Sequence, residues 1–188
     1  YTYTNGETHE VITLDYYTGV PKSRITYFYT DEKILQLSLY QIMVSGEWVN
    51  TRRDMWYQDN EGLNSEAIIQ FFRNGEWSNY NRFTEYEYDG RRLSQYTVQT
   101  WNGTDWVDSY YDEWFYDESG RLASRQQIRV DATPINRYEY VTGSNNLRES
   151  MTIYSWMNGS WADYTRRLYE YNSGGKTSAV VYQDFRGG

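Results

Sequence analysis

Six of the eight tryptophans in this 188-residue chain cluster around short polar turns. The turns are Ser45-Gly46-Glu47-Trp48, Asn74-Gly75-Glu76-Trp77, Asn102-Gly103-Thr104-Asp105-Trp106 and Asn158-Gly159-Ser160-Trp161. Residues five apart across them form the pairs Met43/Trp48, Phe72/Trp77, Trp101/Trp106 and Trp156/Trp161. A four-residue loop places each pair opposite on adjacent strands, where such pairs stabilise a hairpin by roughly 0.2–1 kcal/mol. The same rings support a second chemistry. A row of indole faces along one rim suits the apolar face of sugar rings, with nearby Asn, Gln and Asp bonding hydroxyls. The candidate ligand-binding residues are therefore Trp48, Trp77, Trp101, Trp106, Trp156 and Trp161. Burial separates the two readings: exposed indoles favour a ligand rim, packed ones a hairpin staple.

Other chemistry is poorly supported. His9 is the single histidine, between acidic residues and an apolar run, and it reads as a solvated strand residue. Nucleophile-elbow, phosphate-loop and zinc patterns are absent. Acidic turns such as Asp31-Glu32, Asp59-Asn60-Glu61 and Asp117-Glu118 lack the alternating Asp order and distal Glu of a calcium loop. Turn propensity accounts for them. Paired carboxylates for glycoside hydrolysis form across strands and are not identifiable among 26 acidic residues. No catalytic residue, metal site or cofactor is expected. Asn102-Gly103-Thr104 and Asn158-Gly159-Ser160 match the N-glycosylation pattern, but the turn already demands Asn-Gly there.

The elements that position these residues repeat. Trp48, Trp77 and Trp106 are 29 positions apart, and a further step reaches Ile135 in a worn copy near Pro134. A period of this size marks a repeat architecture. An aromatic-x-Tyr triplet before an acidic or polar turn alternates with the tryptophan turn. Its copies are Tyr27-Phe28-Tyr29, Met55-Trp56-Tyr57, Tyr86-Glu87-Tyr88, Trp114-Phe115-Tyr116, Tyr138-Glu139-Tyr140 and Tyr169-Glu170-Tyr171, with Tyr1-Thr2-Tyr3 a further start. One array over residues 1–188 follows, with units starting near 1, 27, 55, 86, 114, 138 and 169. Asn-Gly and Asp-Gly suit the positive φ of tight hairpins. The runs between turns are rich in Tyr, Thr and Val and alternate with period two; in Arg82–Tyr88, Tyr86 and Tyr88 share one face, Phe83, Glu85 and Glu87 the other. The fold class is all-β: an antiparallel meander of about six double-hairpin repeats, some thirteen strands. Sheets of this size curl or split, so a coiled or barrel-like sheet over a tyrosine-lined interior is expected.

Composition supports a folded chain. Leu, Ile, Val and Phe are scarce and the net charge is -8, values that alone approach the disordered class. Twenty-two tyrosines and eight tryptophans argue the other way, since each buries a large area while keeping a polar tip wet. Acidity and scattered basic residues argue against nucleic acid as the partner. Without cysteine there is no disulfide framework. No apolar run is long enough to insert into a membrane as a helix. The start within the repeat pattern suggests a mature or trimmed piece of a longer protein.

At Tyr116-Asp117-Glu118-Ser119-Gly120-Arg121-Leu122 and Tyr88-Asp89-Gly90-Arg91-Arg92-Leu93 the chain resembles the YD (Rhs-type) repeat. The longer unit, with its tryptophan hairpin, is similar to tandem repeats of secreted and surface proteins from Bacteroidota. The likeness runs over nearly the whole chain, on short motifs, and Val141 and Asn172 replace the Asp in two later copies. Long YD arrays build β shells around toxin cargo, and some are linked to adhesion and glycan contact. The resemblance implies a bacterial extracellular or outer-membrane-associated setting and no shared catalytic residues. Choline- and glucan-binding repeats offer a weaker likeness, with units nearer twenty residues.

The sequence therefore points to a non-catalytic extracellular module that binds glycan or another surface ligand through its aromatic rim. The alternatives are a structural spacer or accessory subunit of a surface assembly, and a shell fragment of a toxin-type array. Edge strands near Tyr1 and Gly188 are expected to meet an adjacent domain or a partner chain.

Overall fold

The computed structural model describes residues 2–4, 7–15 and 17–185. Tyr1 and Gly188, around which edge contacts are expected, lie outside the described residues. Fourteen strands follow one another: β1 (Thr2–Thr4), β2 (Glu7–Leu14), β3 (Pro21–Tyr29), β4 (Leu35–Val44), β5 (Glu47–Gln58), β6 (Asn64–Arg73), β7 (Glu76–Asp89), β8 (Arg92–Trp101), β9 (Trp106–Tyr116), β10 (Leu122–Arg129), β11 (Pro134–Thr142), β12 (Arg148–Met157), β13 (Ser160–Tyr171) and β14 (Thr177–Asp184). No helix occurs among the described residues. Hydrogen-bonded order follows chain order from β1 to β14 without a crossover, so the chain is an antiparallel meander. β1 and β14 hold opposite ends of that order.

Two kinds of turn alternate, each with its own backbone chemistry. At the first, second and fourth tryptophan turns the loop has two residues, not four, because Val44 pairs Glu47, Arg73 pairs Glu76 and Met157 pairs Ser160; the third has the expected four, 102–105, between β8 and β9. Ser45 and Gly46 have φ of 51° and 88°, and Asn74 and Gly75 have 52° and 85°. Positive φ at both central residues defines the type I′ turn, whose twist matches that of the strands. Apart from the two-residue turn at Gly90-Arg91, the tyrosine turns are longer. Asp59 N–H donates to Leu63 O and Gly62 N–H to Asp59 O, and Asp117 repeats this with Arg121 and Gly120. Gly62 and Gly120, at φ 75° and 78°, occupy the left-handed position that closes such loops.

The hairpins of Trp48, Trp77 and Trp161 each carry a β-bulge. Tyr40 pairs Arg52 while Gln41 pairs Asn50, passing over Thr51; Tyr80 and Tyr164 are passed over in the same way. An extra residue on one strand shifts its alternation by one. Trp48 and Asn50 before the bulge therefore share a face with Arg53 after it. Within Arg82–Tyr88, Glu85 takes a φ of 53°, outside the regular strand region, while Tyr86 and Tyr88 stay half-buried and Glu85 and Glu87 exposed.

The chain divides into two compact units: Tyr1–Tyr86 with Val98–Asp108, and Glu87–Thr97 with Ser109–Gly188. The first contains Ser38, Asp54, Ala67 and Val98 as buried residues, the second Thr97, Asp112, Ser150 and Met151. Among the described residues no tyrosine is fully buried. Side chains on both faces of the strands stay partly exposed, as the burial of β3 and β10 illustrates. The fully buried side chains are Val98, Thr97, Asp112 and Ser38.

Candidate functional site

All six candidate tryptophans are half-buried, neither free in solvent nor enclosed. Register places Met43 opposite Trp48, Phe72 opposite Trp77, and Trp156 opposite Trp161. The aromatic pairs meet edge to face. Ring centroids are 5.1 Å apart for Phe72–Trp77, and 5.2 Å for both Trp101–Trp106 and Trp156–Trp161. Interplanar angles of 62°, 67° and 75° make these mutual hairpin contacts, not parallel platforms.

Arginines lie over several of these rings. Arg24 stands 4.6 Å from the centroid of Trp48, Arg53 stands 4.5 Å from that of Trp77, and Arg137 lies 5.9 Å from that of Trp161. Each reaches across one intervening strand, from β3 to β5, β5 to β7 and β11 to β13. A guanidinium over an indole face gains electrostatic attraction to the ring quadrupole. It also covers the face that a sugar would use.

The first two arginines belong to a polar ladder. Arg24 Nε donates to Gln41 Oε1 at 2.8 Å, and Gln41 Nε2 donates to Asn50 Oδ1 at 2.9 Å. One repeat later, Arg53 Nε donates to Gln70 Oε1 and Gln70 Nε2 to Asn79 Oδ1, both at 2.6 Å. Sequence reasoning missed this ladder although a signal was present. Arg24/Arg53/Arg82, Gln41/Gln70/Gln99 and Asn50/Asn79/Asp108 share the 29-residue step of the tryptophans. The bulge hides the relation, because Asn50 and Arg53 look like opposite faces in an unbroken strand.

The third copy departs from the pattern. Arg82 Nε bonds the Glu66 carboxylate, and no arginine lies over Trp101 or Trp106 among the described residues. Gln99 Nε2 still donates, to Asp108 at 2.8 Å, but Gln99 Oε1 is buried without a hydrogen-bond partner. The Asn102 side chain accepts the Thr104 and Asp105 N–H groups at 2.9 Å each, shaping the turn from within.

A separate polar centre lies in the second unit. Asp112, fully buried, accepts Arg125 Nε at 2.5 Å and a second contact from Arg125 Nη2. Tyr96 Oη donates to it at 3.2 Å and Gln127 Nε2 at 3.3 Å. Burial, then the Asp112 charge, pushes the Tyr96 phenol well above its ordinary range. Arg125 also stands 5.2 Å from the Trp114 centroid and 5.1 Å from that of Tyr138. Every group is occupied by its neighbours, so the cluster reads as structural.

The acidic turns serve the backbone. Asp59 Oδ1 accepts the Glu61 and Leu63 N–H groups, and Asp117 Oδ1 those of Ser119 and Arg121. The Ser119 hydroxyl, then the Arg121 N–H, holds the Asp117 carboxyl well below the usual carboxylate range. His9 packs edge to face on Tyr29, centroids 5.4 Å apart.

No protein-family model matches the chain, and no curated protein does. Among solved structures, a porin-like protein from Bacteroides uniformis aligns with a TM-score of 0.51 at 12% identity, covering 88% of this chain and 60% of that one. A protein of unknown function from Bacteroides fragilis aligns over 77% of this chain and 91% of its own, at 15% identity and a TM-score of 0.33. A Photorhabdus luminescens Tc holotoxin pore aligns over 93% of this chain and 11% of its own, at 11% identity and a TM-score of 0.23. The first likeness shows a shared β fold, and this chain spans about three-fifths of that protein.

The rim thus contains two classes of tryptophan. Trp48, Trp77 and Trp161 carry an intramolecular cation. The Trp101–Trp106 hairpin keeps the ring pair and the Gln–Asp rung without the cation.

Proposed function

We infer that the chain is a non-catalytic repeat module of a bacterial secreted or surface protein, binding a ligand through its tryptophan rim. Binding is concentrated at the third hairpin, Trp101 and Trp106. One observation carries this reading: among the described residues no arginine covers that hairpin, whereas Arg24, Arg53 and Arg137 cover the indoles of Trp48, Trp77 and Trp161. The repeat likeness to YD-type arrays supports the extracellular setting. The fold shared with a porin-like Bacteroides protein is compatible with it.

Binding of the wild-type chain to an immobilised panel of glycans and of basic and acidic peptides tests the reading. Capture that is lost in the Trp101→Ala/Trp106→Ala double variant supports it. Absence of capture by the wild type moves the assignment to the second reading, a structural spacer. The edge-to-face geometry of the Phe72–Trp77 and Trp156–Trp161 pairs favours that alternative, since such pairs staple hairpins without any ligand.

A further inference from the structure

Repeats within one chain act as internal controls, because the same backbone presents the same positions with different side chains. Copies one and two show what the indole face and the Gln rung are built to hold. In both, a guanidinium lies about 4.5 Å from the ring centroid and donates its Nε–H to the glutamine oxygen. In copy three the corresponding Arg82 is held by Glu66, which occupies a position where copy two has Leu37. The glutamine oxygen is left without a donor. The remaining rung has changed as well: Asp108 replaces the neutral Asn50 and Asn79, adding an exposed negative charge beside Trp106.

We propose that Gln99, Trp106 and Asp108 form a socket for a cation from outside the chain, namely the guanidinium of an arginine side chain on a partner protein. The proposal rests on the reading of the third hairpin as the binding site and names its ligand class. Three separate features favour a cation over a neutral ring. Trp106 lacks the cap its equivalents carry, Gln99 Oε1 lacks an N–H donor, and a carboxylate stands where an amide stood. A guanidinium meets all three, with a face for the indole and N–H groups for both oxygens. The chain's net charge of -8 draws basic partners toward it. All of these residues lie in the first unit.

N-acetyl-arginine amide is the probe, followed by the indole N–H signals of ¹⁵N-labelled protein, with N-acetyl-citrulline amide as the neutral isostere. The expected result is a saturable shift confined to Trp101 and Trp106 with the arginine probe alone. Asp108→Asn weakens that binding by about tenfold, because a charged contact becomes neutral. Glu66→Leu frees Arg82 to enter the socket, and binding is lost while the fold remains intact. The proposal is overturned if citrulline amide binds as well as the arginine probe, if neither binds, or if Glu66→Leu leaves binding unchanged. A glycan captured through Trp101 and Trp106 without any arginine response sustains the rim as a binding site and removes this ligand class.

Discussion

The Arg53 guanidinium lies 4.5 Å from the centre of the Trp77 ring, reaching from β5 across β6 to β7. The same side chain donates to Gln70 on the intervening strand. One residue thus ties three strands together on a face with little apolar burial.

Arg53→Ala is therefore expected to destabilise the first unit by about 1–2 kcal/mol, combining the cation–π contact with a charged hydrogen bond. Arg53→Lys is expected to recover only part of this, since an ammonium lacks the planar fork. Urea denaturation followed by tryptophan fluorescence measures both.

Turn chemistry makes the hairpins legible in the sequence. Asn74-Gly75 and Asn158-Gly159 can hardly be anything but tight turns, and the aromatic pairs five apart across the turn follow directly. The 29-residue step also reveals the meander. The arginine caps were not legible in the same way. A bulge at Thr51 or Tyr80 has no strong residue signature, yet it decides which face Arg53 or Arg82 joins. The degree of tyrosine burial was not legible for a related reason. The number of tyrosines sets how much aromatic area is available but not whether a second layer exists to bury it.

Asp112 gives the second unit its largest single vulnerability. It is fully buried and accepts two Arg125 contacts. Asp112→Asn leaves the Arg125 charge uncompensated and is expected to cost about 3–5 kcal/mol. The double variant Asp112→Leu/Arg125→Met removes both charges and is expected to be less damaging than the single one. Chemical denaturation of the two variants side by side gives the comparison. A double variant worse than Asp112→Asn contradicts the account.

Acid weakens specific turns in a defined window. The Lys22 ammonium, then the Thr18 N–H, lowers the Asp15 carboxyl from 3.8 to about 2. A carboxylate depressed on folding contributes stability that is present above its unfolded value and lost as pH falls through the folded one. The Asp15 turn is expected to hold above pH 4 and loosen progressively toward pH 2. Amide chemical shifts of Tyr17 and Thr18, which donate to Asp15 Oδ1, report it. Asp15→Asn keeps an acceptor oxygen and is expected to abolish the transition.

Ser45 and Asn74 occupy the same position of the type I′ turn, with φ of 51° and 52°. Asparagine tolerates this left-handed conformation better than serine, because its short amide bonds locally to the backbone. Nothing else distinguishes the two turns at this position, since Gly46 and Gly75 follow at φ of 88° and 85°. Ser45→Asn is therefore expected to stabilise the first hairpin by about 0.5–1 kcal/mol, within the left-handed penalty it relieves. Asn74→Ser is expected to destabilise the second hairpin by a similar amount. Hydrogen exchange of β4 and β6 amides reads each change at its own hairpin. Equal protection in both variants and the wild type would show that turn conformation does not limit opening of these hairpins.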